Sequence, residues 1–439
     1  MKKQPAKKQN KKKIGKAASQ REASPRLAHE SERDAPEGRE LPPNDHRALG
    51  QLLELFSFHE IAPGAPFWHH KGMLIFRALE EYARRVNDQN GYQEINTPIL
   101  VKKDVFEKSG HWDFYRDNMF WFNNPRDKKE ILVVKPMNCP ESTYIYNATT
   151  RSYNDLPLRL AEIGRLNRNE LSGTLGGLFR VRQITMDDAH IFVRPDQVEE
   201  EVAAVVKIIE EFYSSIGFKP RYVLATRPKK ALGSKKVWDT AEQALEQALR
   251  KQNTPFTIDK GEGAFYGPKI EVHMEDSQGR DWQMGTAQLD LVMLPKQFNL
   301  SYIDENGKKQ MPWVIHRAIF GSFERFIGIL LEHFNGALPF WLSPVQARVL
   351  TINETVFDYA KGVEQELKKK NIRVELDARN ESLGKKIREA EIQKTPYLLI
   401  IGEKEKSSRT ITIRERGISN QQTQSVSEFL RFVEKESKI

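Results

Sequence analysis

Residues 159–192, RLAEIGRLNRNELSGTLGGLFRVRQITMDDAHIF, decide the fold. Two runs, RLAEIGRLNRNE (159–170) and GGLFRVRQITMDDAHIF (176–192), flank the polar, glycine-bearing loop LSGTLGG, and this predicts a long hairpin of two antiparallel strands. Residues two apart on a strand share a face, so Arg180 and Arg182 are expected to point the same way. That is costly unless they meet an anion. Arginine's planar fork binds carboxylates and phosphates bidentately, so two strands presenting Arg168 and Arg180 would suit a nucleotide triphosphate. A solvated, salt-bridged sheet face explains the same pattern and is the plainer reading. No Walker A sequence and no G-x-G-x-x-G occurs, so phosphate binding by a Gly-rich loop at a helix N-terminus is not supported.

Upstream of the hairpin, DHRALGQLLELFSF starts with an N-cap acid, Asp45, and carries Leu49, Leu52, Leu53 and Phe56 at helical spacing. A second amphipathic helix, KGMLIFRALEEYARRVNDQ, stops at Gly91. The stretch 93–98 then reads as a strand with Pro98 near its end. Downstream, 196–213 is helical, and strands are expected at 221–226, 269–274 and 281–293. Strands with few crossover helices between them indicate an antiparallel sheet flanked by helices, an α+β domain over residues 45–342. From Ser343 strands and helices alternate, predicting a small, mostly parallel α/β domain over 343–439.

The 439 residues, 39% of them apolar, suffice for two or three domains. Apolar runs such as Tyr397–Ile401 fall far short of the roughly 20 residues of a membrane helix, so no transmembrane span is expected. A single cysteine excludes an internal disulfide and points to a reducing compartment, the cytoplasm. The net charge of +9 resides in a tail: Met1–Arg21 holds eight lysines, one arginine and no acid. Residues 1–44 read as a basic disordered tail, which either touches phosphate backbones or merely solubilises the chain.

Cys139, His190 and His316 are potential metal ligands, but 51 and 126 residues separate them and no short metal motif is present. Spacing therefore licenses no zinc site. A lone cysteine is usually a small core hydrophobe, although Cys139 sits between two prolines in an expected turn. GEGAFYGPK (261–269) reads on its own as a Gly-rich turn.

Five motifs, PMNCP at 136–140, RNE at 168–170, DDAHIF at 187–192, GEGAFYGPK at 261–269 and IHRAIFGSFERF at 315–326, together resemble the threonyl-tRNA synthetases, which are class II aminoacyl-tRNA synthetases. The likeness runs over about residues 45–439. It implies a class II antiparallel core followed by an α/β anticodon-binding domain. It implies that Arg168 and Arg325 are the catalytic signature arginines at ATP, joined there by Glu170, Arg180, Gln283 and Thr286. Met137, Asp188, Tyr266 and Gln288 would form the amino-acid pocket, with Asp188 accepting from the substrate hydroxyl. Cys139, His190 and His316 would bind Zn²⁺, and Mg²⁺ would accompany ATP. Asn380, Glu405 and Arg414 would contact the tRNA anticodon, and the helix before Pro98 would form a homodimer interface.

The resemblance thus implies ligation of L-threonine to tRNA(Thr) through threonyl-adenylate, with ATP as co-substrate. A metal that must bind a hydroxyl rejects valine, which an apolar pocket alone separates poorly. Serine lacks only a methyl, worth about 1–3 kcal/mol. Relatives that edit this error carry an N-terminal editing domain, and with about 44 residues before the core no cis-editing of seryl-tRNA is expected. The sequence also departs from the family pattern. Glu141 and Ser142 stand where glycine and histidine are usual, Ile184 where an aromatic commonly stacks on adenine, and Met186 where a glutamine often faces the amino acid.

Overall fold

Asp45 caps helix α1 (His46–Leu52), its carboxylate accepting the Arg47 N–H at 2.8 Å. The computed structural model describes residues 41–436, so most of the expected tail lies outside the described residues. Glu54, at φ 57°, breaks the helix before Phe56 can join it. Phe56 instead lies on the two-residue strand Phe56–Ser57, still buried, whereas Leu52 is exposed. Helix α2 (His70–Gln89) buries Ile75, Phe76, Leu79, Tyr82 and Ala83 and ends before Gly91, which takes the left-handed φ of 69° that glycine allows. The expected strand after it shrinks to β1 (Gln93–Glu94).

Cys139 opens helix α3 (Cys139–Tyr146) with Pro140 in its first turn, so the expected turn is a helix start, where proline costs no hydrogen bond. The hairpin follows as β2 (Leu158–Asn167) and β3 (Gln183–Val193), paired from Leu158 with Phe192 to Asn167 with Gln183. It is shorter than expected. Residues 176–182 form loop rather than strand, so Arg180 and Arg182 do not share a strand face, and Arg168 lies just beyond the end of β2. The chain is diverted there by its own backbone bonds: Arg168 N donates to Arg182 O at 2.8 Å, and Arg182 N to Gly64 O at 2.6 Å.

Helix α4 (Val198–Ser215) leads to β4 (Arg221–Ala225), α5 (Lys235–Lys251) and β5 (Phe256–Asp259). This β4–α5–β5 unit is a parallel crossover that the sequence reading missed. Strands β6 (Lys269–Glu275), β7 (Asp281–Asp290) and β8 (Trp313–Ala318) and helix α6 (Phe323–His333) complete the domain. The eight-stranded sheet runs β5-β4-β6-β7-β8-β3-β2-β1, antiparallel except at its two edge pairs. Ala189, Ile191, Val193, Ala287, Leu289 and Ile315 turn one face toward the helices and form the main core with them. The intervening residues face the other way.

The C-terminal domain packs its own core around a sheet ordered Val374–Asp377, Ala347–Thr351, Tyr397–Ile401, Ile411–Glu415 and Gln421–Gln424. Its first three strands are mutually parallel and the last two antiparallel. Arg416 ties it to the first domain by donating to the carbonyls of Ala337 and Leu338 at 3.0 and 2.8 Å.

Beneath the hairpin Lys135, 1% exposed, donates to Glu162 at 2.8 Å and to the Thr97 hydroxyl at 2.8 Å. Removing one member of a buried pair strands the other charge. Lys135→Met is therefore expected to lower unfolding free energy by about 3–5 kcal/mol, read from urea midpoints. A loss below ~1 kcal/mol would contradict the assignment.

Candidate substrate and metal site

Register builds the site. On β3 and β8 His190 lies directly opposite His316, and on β7 and β8 Gln288 lies opposite His316, so three polar side chains line one row of the polar face. Asp188, two residues before His190, opposes Glu162 on β2. Cys139 comes from the first turn of α3, and its Sγ and a ring nitrogen of each histidine lie within 4.8 Å of one another. All three residues are buried, and Nε2 of both His190 and His316 lacks a hydrogen-bond partner. Histidines satisfied by the core would not leave such atoms orphaned.

One thiol and two imidazoles match zinc's preferred donors and leave a coordination position for a ligand. Without a cation, burial pushes the Cys139 thiol well above its ordinary range, helped by Asp188, Glu141 and Asp290. Burial likewise drives His190 well below 6.5, with His316 and Arg317 adding repulsion. A neutral imidazole such as that of His190 is a ready ligand, and the thiol's proton is what metal binding would displace. A second cluster, Asp45, His46 and Glu332, is closed to a metal. His46 Nδ1 lies 2.6 Å from Glu332 Oε1, and Nε2 accepts the Leu178 N–H at 2.9 Å.

Around the triad, the Tyr266 hydroxyl donates to Gln288 Oε1 at 2.5 Å and its ring lies 5.2 Å from that of His316. Met137 packs against the apolar cluster that contains Cys139. The Gly-rich segment before Lys269 is more than a turn, because a Cβ on Gly267 would sit 2.1 Å from Leu289 O. Burial raises the Asp188 carboxyl to about 6, opposed by the hydrogen bond from Asn138 and by His316. Thr286 donates to Ile270 O at 3.2 Å, and Gln283 lies farther along β7.

The arginines are held by the loops. Arg180 donates to Glu170 at 3.0 Å, Arg168 to Pro136 O at 3.2 Å, and Arg325 on α6 to Phe179 O at 3.0 Å. In the C-terminal domain Asn380 is exposed, Glu405 accepts from Gly402 N and the Thr412 hydroxyl, and Arg414 pairs with Glu391 at 2.7 Å. Ile184 and Met186, on the polar face of β3, join Leu166 and Val181 in a small apolar cluster.

Three residues escaped the sequence reading. Asn138, just before Cys139, donates to Asp188 at 3.0 Å. Asp290 accepts three backbone N–H groups at 2.7–2.9 Å and lies 3.6 Å from His316 Nε2. His111, buried beside Phe265, has its pKa lowered to about 4 by burial. Only Asn138 carried a signal, as a potential helix cap inside a family motif.

Residues 120–334 match the family described as the tRNA synthetase class II core domain (G, H, P, S and T), and residues 346–436 match the anticodon binding domain family. Fold and matches together define a class II aminoacyl-tRNA synthetase core joined to an anticodon-binding domain. A threonine–tRNA ligase of Caldanaerobacter subterraneus subsp. tengcongensis is 49% identical over 377 residues, 86% of this chain and 58% of the relative. That of Carboxydothermus hydrogenoformans is 48% identical over 391 residues, 89% of this chain and 61% of its own. The crystal structure of the RNA binding domain of threonyl-tRNA synthetase from Cryptosporidium parvum gives a TM-score of 0.85 at 39% identity, covering 90% of this chain and 98% of that one. A putative threonyl-tRNA synthetase from Aeropyrum pernix gives 0.79 at 30% identity, covering 89% and 95%. The chain belongs to the threonyl-tRNA synthetase family. It spans about three fifths of the length of the curated relatives it matches.

Glu141, one of the departures, is buried with both carboxylate oxygens unpartnered, and burial raises its pKa from 4.5 to about 8. Between those values the folded protein keeps a proton that the unfolded chain releases. This contribution to stability is complete below pH 4.5 and lost as pH rises through 8. Glu141→Gln, which cannot ionise, should be more stable than the parent at pH 9 by ~2–4 kcal/mol, the gap closing toward pH 5. Identical denaturation curves at both pH values would refute this.

Proposed function

We propose that the chain ligates L-threonine to tRNA(Thr) using ATP and Mg²⁺, and recognises the amino acid at a zinc held by Cys139, His190 and His316. The observation that carries this reading is the buried triad with two orphaned imidazole nitrogens, set beside Asp188 and the Tyr266–Gln288 pair. A bound zinc would supply a Lewis acid that takes the substrate's amino and hydroxyl groups and excludes side chains lacking the hydroxyl. Asp188 accepts from that hydroxyl, and Met137, Tyr266 and Gln288 close the pocket.

The threonine carboxylate oxygen attacks the α-phosphorus of ATP, forming the acyl phosphate bond of threonyl-adenylate as pyrophosphate leaves. A ribose hydroxyl of the terminal nucleotide of the tRNA then attacks the acyl carbon, and AMP leaves. Arg168, Arg180 and Arg325 neutralise charge on the phosphates, and Glu170 holds Arg180 by a 3.0 Å hydrogen bond. Gln283 and Thr286 complete the ATP site. Positioning and electrostatics supply most of the rate enhancement.

The C-terminal domain reads the anticodon with Asn380, Glu405 and Arg414; Glu405 and Arg414 give up internal partners when they do so. Two copies pair through α2 and the segment after it, where Ile99 and Leu100 are both about half exposed. A single cysteine, which can form no internal disulfide, suits the cytoplasm. No helix among the described residues is long and apolar enough to cross a membrane.

ATP–pyrophosphate exchange on zinc-loaded protein tests the reading. Exchange is expected with threonine, weakly with serine and not with valine. Cys139→Ala should lose zinc by elemental analysis and lose threonine-dependent exchange by about 100-fold or more. Full exchange by the zinc-free protein would refute the role of the triad.

A further inference from the structure

Asn138 occupies the N-cap position of α3 yet makes no cap hydrogen bond with its side chain. Asparagine is favoured at that position because its oxygen accepts an N–H of the first turn. Here the amide is turned away from the helix and fully buried. Its Nδ2 donates to Asp188 Oδ2 at 3.0 Å, the one side-chain hydrogen bond that Asp188 makes among the described residues. Its Oδ1 has no partner. An ionised carboxylate repels an amide oxygen, so the donor end is the end that faces Asp188. The cap is forgone and an acceptor is stranded, both to deliver one N–H to one carboxylate oxygen.

The neighbouring strand is cut away to permit this. A Cβ at Gly164 on β2 would lie 2.4 Å from Asn138 Oδ1, 2.6 Å from Nδ2 and 2.8 Å from Cγ. Asn138 is enclosed and has nowhere to retreat. Gly164 shares its strand face with Glu162, the residue opposite Asp188, so β2 gives up a side chain at the one position where the amide must pass.

We propose that Asn138 is a positioning residue for amino-acid discrimination that acts through Asp188. Holding Oδ2 leaves Oδ1 of Asp188 to meet the substrate and stops the carboxylate from rotating. The inference rests on the functional reading above, in which Asp188 accepts from the substrate hydroxyl. It assigns Asn138 no contact with substrate.

The test measures threonine binding by calorimetry, together with exchange kinetics and zinc content, for Asn138→Ala, Gly164→Ala and Asp188→Ala and for the double variant Asn138→Ala/Asp188→Ala. Asn138→Ala is expected to raise the threonine Kd and KM about 10–100-fold, as loss of a supporting hydrogen bond to a ligand-binding group does. Its KM for ATP should stay within about 2-fold of the parent, zinc content should be unchanged, and the preference for threonine over valine should fall. Gly164→Ala should reproduce the effect with Asn138 intact, which keeps the idea testable if Asn138→Ala folds poorly. In the Asp188→Ala background, Asn138→Ala should cost nothing more. Unchanged threonine affinity in Asn138→Ala and in Gly164→Ala overturns the proposal, as does an undiminished effect of Asn138→Ala without Asp188. Loss of zinc in Asn138→Ala overturns it too, because the residue would then be supporting the metal ligand beside it. If the parent shows no threonine-dependent exchange, the functional reading falls first and the inference with it. If the parent exchanges normally and the variants match it, only the inference falls.

Discussion

Asp187 holds the register on which the site depends. It is buried, and its Oδ2 accepts the N–H groups of Ile319 and Phe320 at 2.7 and 3.3 Å, while Arg317 approaches Oδ1 at 3.4 Å. Its own N–H donates to Gly321 O at 2.9 Å. These contacts pin the turn after β8 onto β3, and the same pairing sets His190 opposite His316. A slip of one residue would turn every side chain of β8 to the wrong face. The adjacent acids divide the work by strand geometry: Asp187 points toward the helices and locks the sheet, and Asp188 lies on the face that carries His190 and His316.

Unsatisfied polar atoms gather around the triad. Of eleven buried side-chain polar atoms without a partner among the described residues, five belong to Asn138, Glu141, His190 and His316. Such atoms cost about 1–3 kcal/mol each in a sealed core, so their concentration beside one thiol marks a place shaped for something other than itself. The orphaned imidazole nitrogens fit a metal. Glu141 does not, since its carboxyl is raised toward neutrality by burial and no partner is offered to it.

Long periodic segments were legible in the sequence. Helix α2, the hairpin β2–β3 and the alternating strands and helices of the C-terminal domain follow from apolar spacing and from punctuation by Gly91. Where local pattern competes with tertiary contacts, it failed. The run 176–182 alternates like a strand, but a bond to Gly64, more than a hundred residues earlier, draws it into a loop, so the two-arginine strand face does not exist. The α5–β5 crossover was missed, its strand being four residues long and half exposed. The triad was invisible to spacing because its members meet through sheet register and a helix start, across separations that no local motif spans. Family likeness named the three residues; geometry explains why they meet.

The proposed zinc of this triad reads the substrate hydroxyl. Zinc X-ray absorption on the zinc-loaded protein, alone and with threonine or valine, tests it directly. One sulfur and two imidazole nitrogens are expected around the metal. Additional nitrogen and oxygen scatterers are expected on adding threonine, and no change on adding valine. A zinc shell lacking sulfur, or one indifferent to threonine, would contradict it.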